Sequence, residues 1–259
     1  MNFTIFDWLG REVDGVRSKN GVLALTNPLN NLIRPTSGLW PTSEILQKLY
    51  KSNQESAFDE FDRSALSKTL GFYSDLQSLH SEDALTWSVF GPIIYGEPSA
   101  RTKFASALLN LINVPAGSIS VANFWLWRRL PHPETLVPGG PEVDFGLQTD
   151  DVFLIGEAKW LSHISSRQGV ERNEDQISLR QKFCKLHGQR LLPFCRRFVI
   201  VGLSIFGQMV PITDVKLGSV FIHTRDTTWD AVIGLMEHPH AEEEKKYLSW
   251  KRSHAKSSV

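Results

Sequence analysis

The stretch PEVDFGLQTDDVFLIGEAKW, Pro141 to Trp160, decides the reading of this chain. Two strand-like segments, 142–147 and 152–158, flank Gln148-Thr-Asp-Asp151, a polar turn that closes a hairpin. Residues two apart on a strand point to the same face, so Glu157 and Lys159 share one. The residues before them, Val152-Phe-Leu-Ile-Gly156, belong in a core. A carboxylate and an ammonium at the end of a buried strand are costly unless they are paired or hold a metal. The hairpin folds Asp144 back beside them, so two carboxylates and one lysine are expected to converge at one sheet end.

That set has a chemical use. Phosphodiester hydrolysis needs a divalent cation, an activated water and stabilisation of developing negative charge. Asp144 and Glu157 supply the oxygen ligands that Mg²⁺ or Mn²⁺ prefers, with the Ala158 carbonyl as a further ligand. Lys159 positions or deprotonates the attacking water, or stabilises the charge on the phosphate.

Working outward, Ser81 caps a helix, and Glu82 and Asp83 suit the positive end of its dipole. Glu82, Leu85 and Val89 lie at i, i+3 and i+7, which puts Glu82 on the apolar edge; Gly91-Pro92 is expected to stop the helix. A second helix spans about 99–113, with Phe104, Leu108, Leu111 and Ile112 as its buried stripe. Residues 119–126 read as a central strand buried on both faces. After the hairpin come a helix over about 171–189, strands over 198–205 and 220–223, and a last helix over 226–236. The expectation is an α/β fold, a central mixed sheet flanked by helices, behind an N-terminal extension. Residues 1–80 form that extension, irregular and then helical, residues 81–240 the core, and residues 241–259 a charged, frayed tail.

An acid, a hairpin and Glu-x-Lys at a strand end resemble the PD-(D/E)XK nuclease superfamily. The order helix, three strands, helix, strand between residue 81 and about 224 resembles its restriction-endonuclease-like core. The resemblance implies a Mg²⁺- or Mn²⁺-dependent nuclease, an endodeoxyribonuclease first, in defence, restriction or repair. It implies Glu82 as an additional metal ligand beside Asp144 and Glu157. It also implies a supporting polar residue on the helix after the Glu-x-Lys strand, where Gln176 stands. Arg172, Gln176 and Arg180 are spaced i, i+4 and i+8 and so share one face, with Leu179, Phe183 and Leu186 as a neighbouring apolar stripe. The two arginines are then candidates for phosphate contact. The sequence departs from the pattern in carrying Val143, not proline, before the acid; Pro141 precedes Glu142, an alternative acid ranked below Asp144 because it starts the strand.

Bulk properties are compatible with this reading. The formal net charge is zero, yet residues 159–197 carry nine bases and three acids, and residues 99–133 four bases and no acid, so a polyanion meets positive segments. The two cysteines form no CxxC pair, which points to a reduced, cytoplasmic protein. Cys184, His187 and Cys195 match no strong zinc spacing and read as structural. The Trp125/Trp127 pair could stack bases but reads as core packing. There is no GxGxxG, Walker loop or Ser/His/Asp order to support a dehydrogenase, an NTPase or another hydrolase class. The expected partner is nucleic acid, DNA first, with a homodimer or a partner subunit completing duplex cleavage. The alternative is a non-catalytic or partner-dependent nucleic-acid-binding subunit that keeps the nuclease fold. A third reading, a chance motif in an unrelated α/β protein, would separate Asp144 from Glu157 in space.

Overall fold

A computed structural model describes residues 2–17, 22–51, 76–134, 142–161, 175–235, 237–238 and 240–255. In chain order its elements are strands β1 (Asn2–Phe6), β2 (Glu12–Arg17) and β3 (Leu23–Leu25), then helices α1 (Ser43–Lys51), α2 (Glu82–Ile94) and α3 (Pro98–Leu111). Next come β4 (Asn123–Arg129), β5 (Glu142–Gln148), β6 (Val152–Ala158) and α4 (Gln176–Phe183), which continues through a π turn at Cys184–Gly188. The chain closes with β7 (Arg197–Ser204), β8 (Thr213–Leu217), β9 (Val220–Thr228), α5 (Trp229–Ile233) and α6 (Ala241–Ala255). Two units divide it: Met1–Tyr95 with His240–Val259, and Gly96–Pro239. Among the described residues, no helix is long and apolar enough to cross a membrane.

The first unit holds an antiparallel sheet, β1-β2-β3, so of the two readings of the N-terminal lead-in, strand-rich or irregular, the strand-rich one describes it. Of the helical part expected before residue 80, α1 is present and residues 52–75 lie outside the described residues. Helix α2 does not stop at Gly91-Pro92 but runs on to Ile94 with Pro92 inside it. Residues 84–93 are all buried, and that packing outweighs the backbone donor the proline lacks. The frayed tail is also corrected: α6 is an ordered helix. Glu244, Tyr247, Leu248 and Lys251, at i, i+3, i+4 and i+7, form its buried stripe. The Tyr247 ring meets Trp8 edge-on at 4.8 Å, and its hydroxyl donates to Asn31 O at 2.8 Å. Trp250 Nε1 donates to Phe6 O at 2.8 Å. The surrounding run of Glu and Lys hid this stripe from a reading by composition.

The second unit is a six-stranded mixed sheet in the order β4-β5-β6-β7-β9-β8. Strands β6, β7 and β9 are mutually parallel, with antiparallel β4-β5 on one side and β8 on the other. Parallel neighbours need a crossover, and the segment containing α4 provides it between β6 and β7. That helix covers one face, where Ile177, Phe183 and Cys184 pack with Phe153, Ile155, Phe198, Ile200 and Ile222. On the opposite face Phe104 of α3 meets Phe124 of β4 at 5.6 Å, and α5 packs against α3. Covered on both sides, β6 is buried along its whole length, which explains its unbroken apolar run.

Strand β4 is the sheet edge, not the central strand expected, and begins at Asn123 rather than 119. The residues before it serve the hairpin turn instead: Ser120 donates its N–H and its hydroxyl to the Asp150 carboxylate, each at 2.7 Å. Strand β9 extends to Thr228, so the first residues of the helix expected over 226–236 are strand, and α5 begins only at Trp229. Edge strand β8, largely exposed, was not anticipated; Thr-Asp-Val-Lys-Leu has too few apolar positions to signal it.

Candidate active site

The hairpin register sets the site. Phe145 pairs with Gly156, Gly146 with Ile155 and Leu147 with Leu154, so Asp144 stands one step past the last backbone pair, opposite Glu157. Opposed residues on neighbouring strands share a face, which puts Asp144, Glu157 and Lys159 on the face that α4 covers. Where backbone pairing ends, a side chain takes over: Asp144 Oδ2 accepts the Ala158 N–H at 2.7 Å. The two acids and the lysine named from the sequence are therefore brought together.

Lys159 is held from both sides of its backbone. Its N–H donates to Leu203 O at 2.7 Å, and its carbonyl accepts from Trp229 Nε1 at 2.9 Å. Its ammonium donates to Ala158 O at 2.8 Å, and only 9% of the residue is exposed. Glu157 is fully buried.

Arg180 is the principal correction. The sequence placed it on an open face for phosphate, but it is buried, and its Nε donates to Glu157 Oε1 at 2.7 Å. Its second arm, Nη2, donates to Glu142 O at 2.8 Å. Glu142 thus contributes its carbonyl here, while Asp144 is the acid that reaches across to β6. Leu186, expected in the apolar stripe beside this face, is 59% exposed because the π turn rotates it outward. Gln176 is the first residue of α4, one turn before Arg180 on the same face, and Asp175 caps the helix by accepting the Ser178 N–H at 2.8 Å. Arg172 lies outside the described residues. Glu82 is on the first turn of α2 and belongs to the first unit, whereas Asp144, Glu157, Lys159 and Arg180 all belong to the second.

One acid was missed. Gly202 of β7 pairs with Glu157 on one side and with Asp226 of β9 on the other, so Asp226 shares their face, two strands (~10 Å) from Glu157. A Cβ at Gly202 would stand 2.6 Å from Asp226 Oδ1, so glycine is what lets this carboxylate lie across β7. Burial pushes the Asp226 carboxyl up, against backbone N–H groups of Gln208, Met209 and Val210 that hold it down. It anchors that loop over the sheet end. Assigning 226 to a helix concealed it, and Thr224-Arg-Asp-Thr-Thr228 carries no apolar alternation that could have found it.

The bland readings hold for the two cysteines and for Trp125, while Trp127 is only half-buried and not a core residue. Cys184 and Cys195 are core residues whose thiols burial pushes up to about 12 and about 11, so neither is a ready thiolate ligand. Trp125 packs in the core beside Phe153, flat over Gly146, where a Cβ would come within 2.0 Å of its ring.

The donor set suits a hard divalent cation in kind: two carboxylates and the Ala158 carbonyl, all oxygen, at one sheet end. Among the described residues, no three His, Cys, Asp or Glu side chains gather as a metal cluster. Two protein cations already sit on the oxygens in question, Arg180 on Glu157 and Lys159 on Ala158 O. Comparison of the chain with family models, with curated proteins and with solved structures finds no match.

Proposed function

We propose that this chain is a metal-dependent nuclease with a restriction-endonuclease-like core of the PD-(D/E)XK type, acting on DNA first. The observation that carries the reading is the convergence of Asp144, Glu157 and Lys159 on one face at one end of a mixed sheet, with Asp144 bonded to the Ala158 N–H between the other two. The order of α3, β4, the β5-β6 hairpin, α4 and β7 supports it.

In this reading Asp144 and Glu157 would hold Mg²⁺ or Mn²⁺, which would supply charge neutralisation and acidify a water. The Lys159 ammonium, fixed by its pinned backbone, orients the attacking water or meets the charge that develops on the phosphate. Gln176 supports the site from the first turn of α4. The assignment rests on the second unit and makes no use of Glu82.

A specific observation favours a second reading, a nucleic-acid-binding or assembly subunit that keeps the fold without cutting. The Glu157 charge is balanced by Arg180, so its burial is accounted for without a cation. The deciding experiment incubates the purified chain with supercoiled plasmid, linear duplex, single-stranded DNA and RNA, each with Mg²⁺, Mn²⁺ or EDTA. Cutting that EDTA stops is the expected result and names the substrate. Binding of nucleic acid without cutting in either metal moves the conclusion to the second reading.

A further inference from the structure

We propose that Arg180 is a built-in competitor for the cation site: a divalent ion takes Glu157 only by displacing the guanidinium. The inference rests on the metal-site reading of Asp144 and Glu157 and adds to it what controls loading.

Three observations lead there. The guanidinium sits on the same carboxylate a cation would use, with Nε 2.7 Å from Glu157 Oε1 and both side chains essentially out of solvent. Its second arm, Nη2 on Glu142 O at 2.8 Å, aims it at that carboxylate while no cation is bound. Third, the charges of Asp144, Glu157, Lys159 and Arg180 sum to zero. A divalent ion added to that set leaves a formal net charge of two in surroundings that screen it weakly, and withdrawing the guanidinium from Glu157 relieves it. Lys159 stands on Ala158 O and Arg180 on Glu157 itself, which leaves Arg180 as the cation that competes for this carboxylate.

The contrary role has equal chemical precedent. A hydrogen bond from a neighbouring group commonly orients a metal-binding carboxylate, and its loss weakens the metal by roughly 10–100-fold. The two roles predict opposite signs.

The test is calorimetric titration of Mn²⁺ into the full chain and into Arg180→Met, Arg180→Lys and Glu157→Gln, with circular dichroism to confirm folding. Competition predicts that Arg180→Met binds Mn²⁺ on the order of tenfold more tightly than the wild type, that Arg180→Lys does not, and that Glu157→Gln abolishes binding. Unchanged or weaker binding by folded Arg180→Met, with Glu157-dependent binding intact in the wild type, overturns the competitor role and leaves the metal-site reading standing. No Glu157-dependent binding in any form overturns both.

A measurement on the unaltered chain covers the case in which Arg180→Met does not fold. The arginine Nε–H resonance of Arg180, assigned by its loss in Arg180→Lys, is expected to be protected from solvent exchange without cation and to lose that protection at saturating Mg²⁺. Protection that persists at saturation contradicts displacement.

Discussion

Asp144 finishes the hairpin with its side chain: its Oδ2 accepts the Ala158 N–H at 2.7 Å, one step beyond the last backbone pair, Phe145 with Gly156. One carboxylate thereby closes the strand end and takes its place in the candidate site. Asp144→Ala leaves the Ala158 amide without that acceptor, and a loss of about 1–3 kcal/mol is expected in urea unfolding. Asp144→Asn keeps an acceptor of the same reach and is expected to lose less. Equal losses would mean that the bond does not support the hairpin.

Glu157 and Arg180 form a buried pair, and breaking one partner strands the other. Glu157→Ala and Arg180→Ala are each expected to cost about 3–5 kcal/mol, while Glu157→Met with Arg180→Met costs less than either single change. Denaturant unfolding of all four proteins checks this. A double variant as unstable as the sum of the singles would refute the coupling.

Lys251 of α6 is fully buried, with Ser81 O as an acceptor at 3.1 Å and the Tyr247 ring 5.4 Å from its ammonium. Burial pulls its pKa down to about 7. Between that value and the unfolded lysine value of about 10.4, the unfolded chain binds the extra proton, so the lysine burdens folding at neutral pH and the burden lifts as pH rises. Lys251→Met is therefore expected to be more stable than the wild type at pH 7. The gap should narrow toward pH 10, at no more than about 1.4 kcal/mol per pH unit. A gap independent of pH in thermal or urea unfolding would show that the side chain does not titrate in this range.

Gly146 lies under Trp125, and a Cβ there would stand 2.0 Å from the ring. Gly146→Ala must push the indole out of the packing it makes beside Phe153, on the strand that carries Asp144. A loss of about 1–3 kcal/mol is expected from overpacking, read as a lower midpoint in thermal unfolding. An unchanged midpoint would mean that the ring relocates freely.

What could be read in advance follows a physical division. The hairpin was legible because a polar turn and an unbroken apolar run are local signals, and β6 lies at Val152–Ala158 as expected. Asp144, Glu157 and Lys159 came with it, since register alone carries them to one face. Arg180 was misplaced because its burial depends on a carboxylate on another element; its own helix offers Gln, Arg and Lys in alternation and looks solvated. Asp226 was missed because Thr-Arg-Asp-Thr-Thr continues β9 only through pairing with β7, which nothing local announces. The docking of α6 was missed for a related reason: two of its four buried stripe residues, Glu244 and Lys251, are of ionisable types that a sequence reading assigns to the surface.

The most direct test of the nuclease reading is cleavage of supercoiled plasmid by the wild type beside Asp144→Asn and Lys159→Ala, in Mg²⁺ and in EDTA, with all three proteins shown to be folded. The expected result is Mg²⁺-dependent conversion to nicked or linear DNA by the wild type, reduced at least about 100-fold in both variants. Cutting that persists at the wild-type rate in both would contradict the assignment of chemistry to this sheet end.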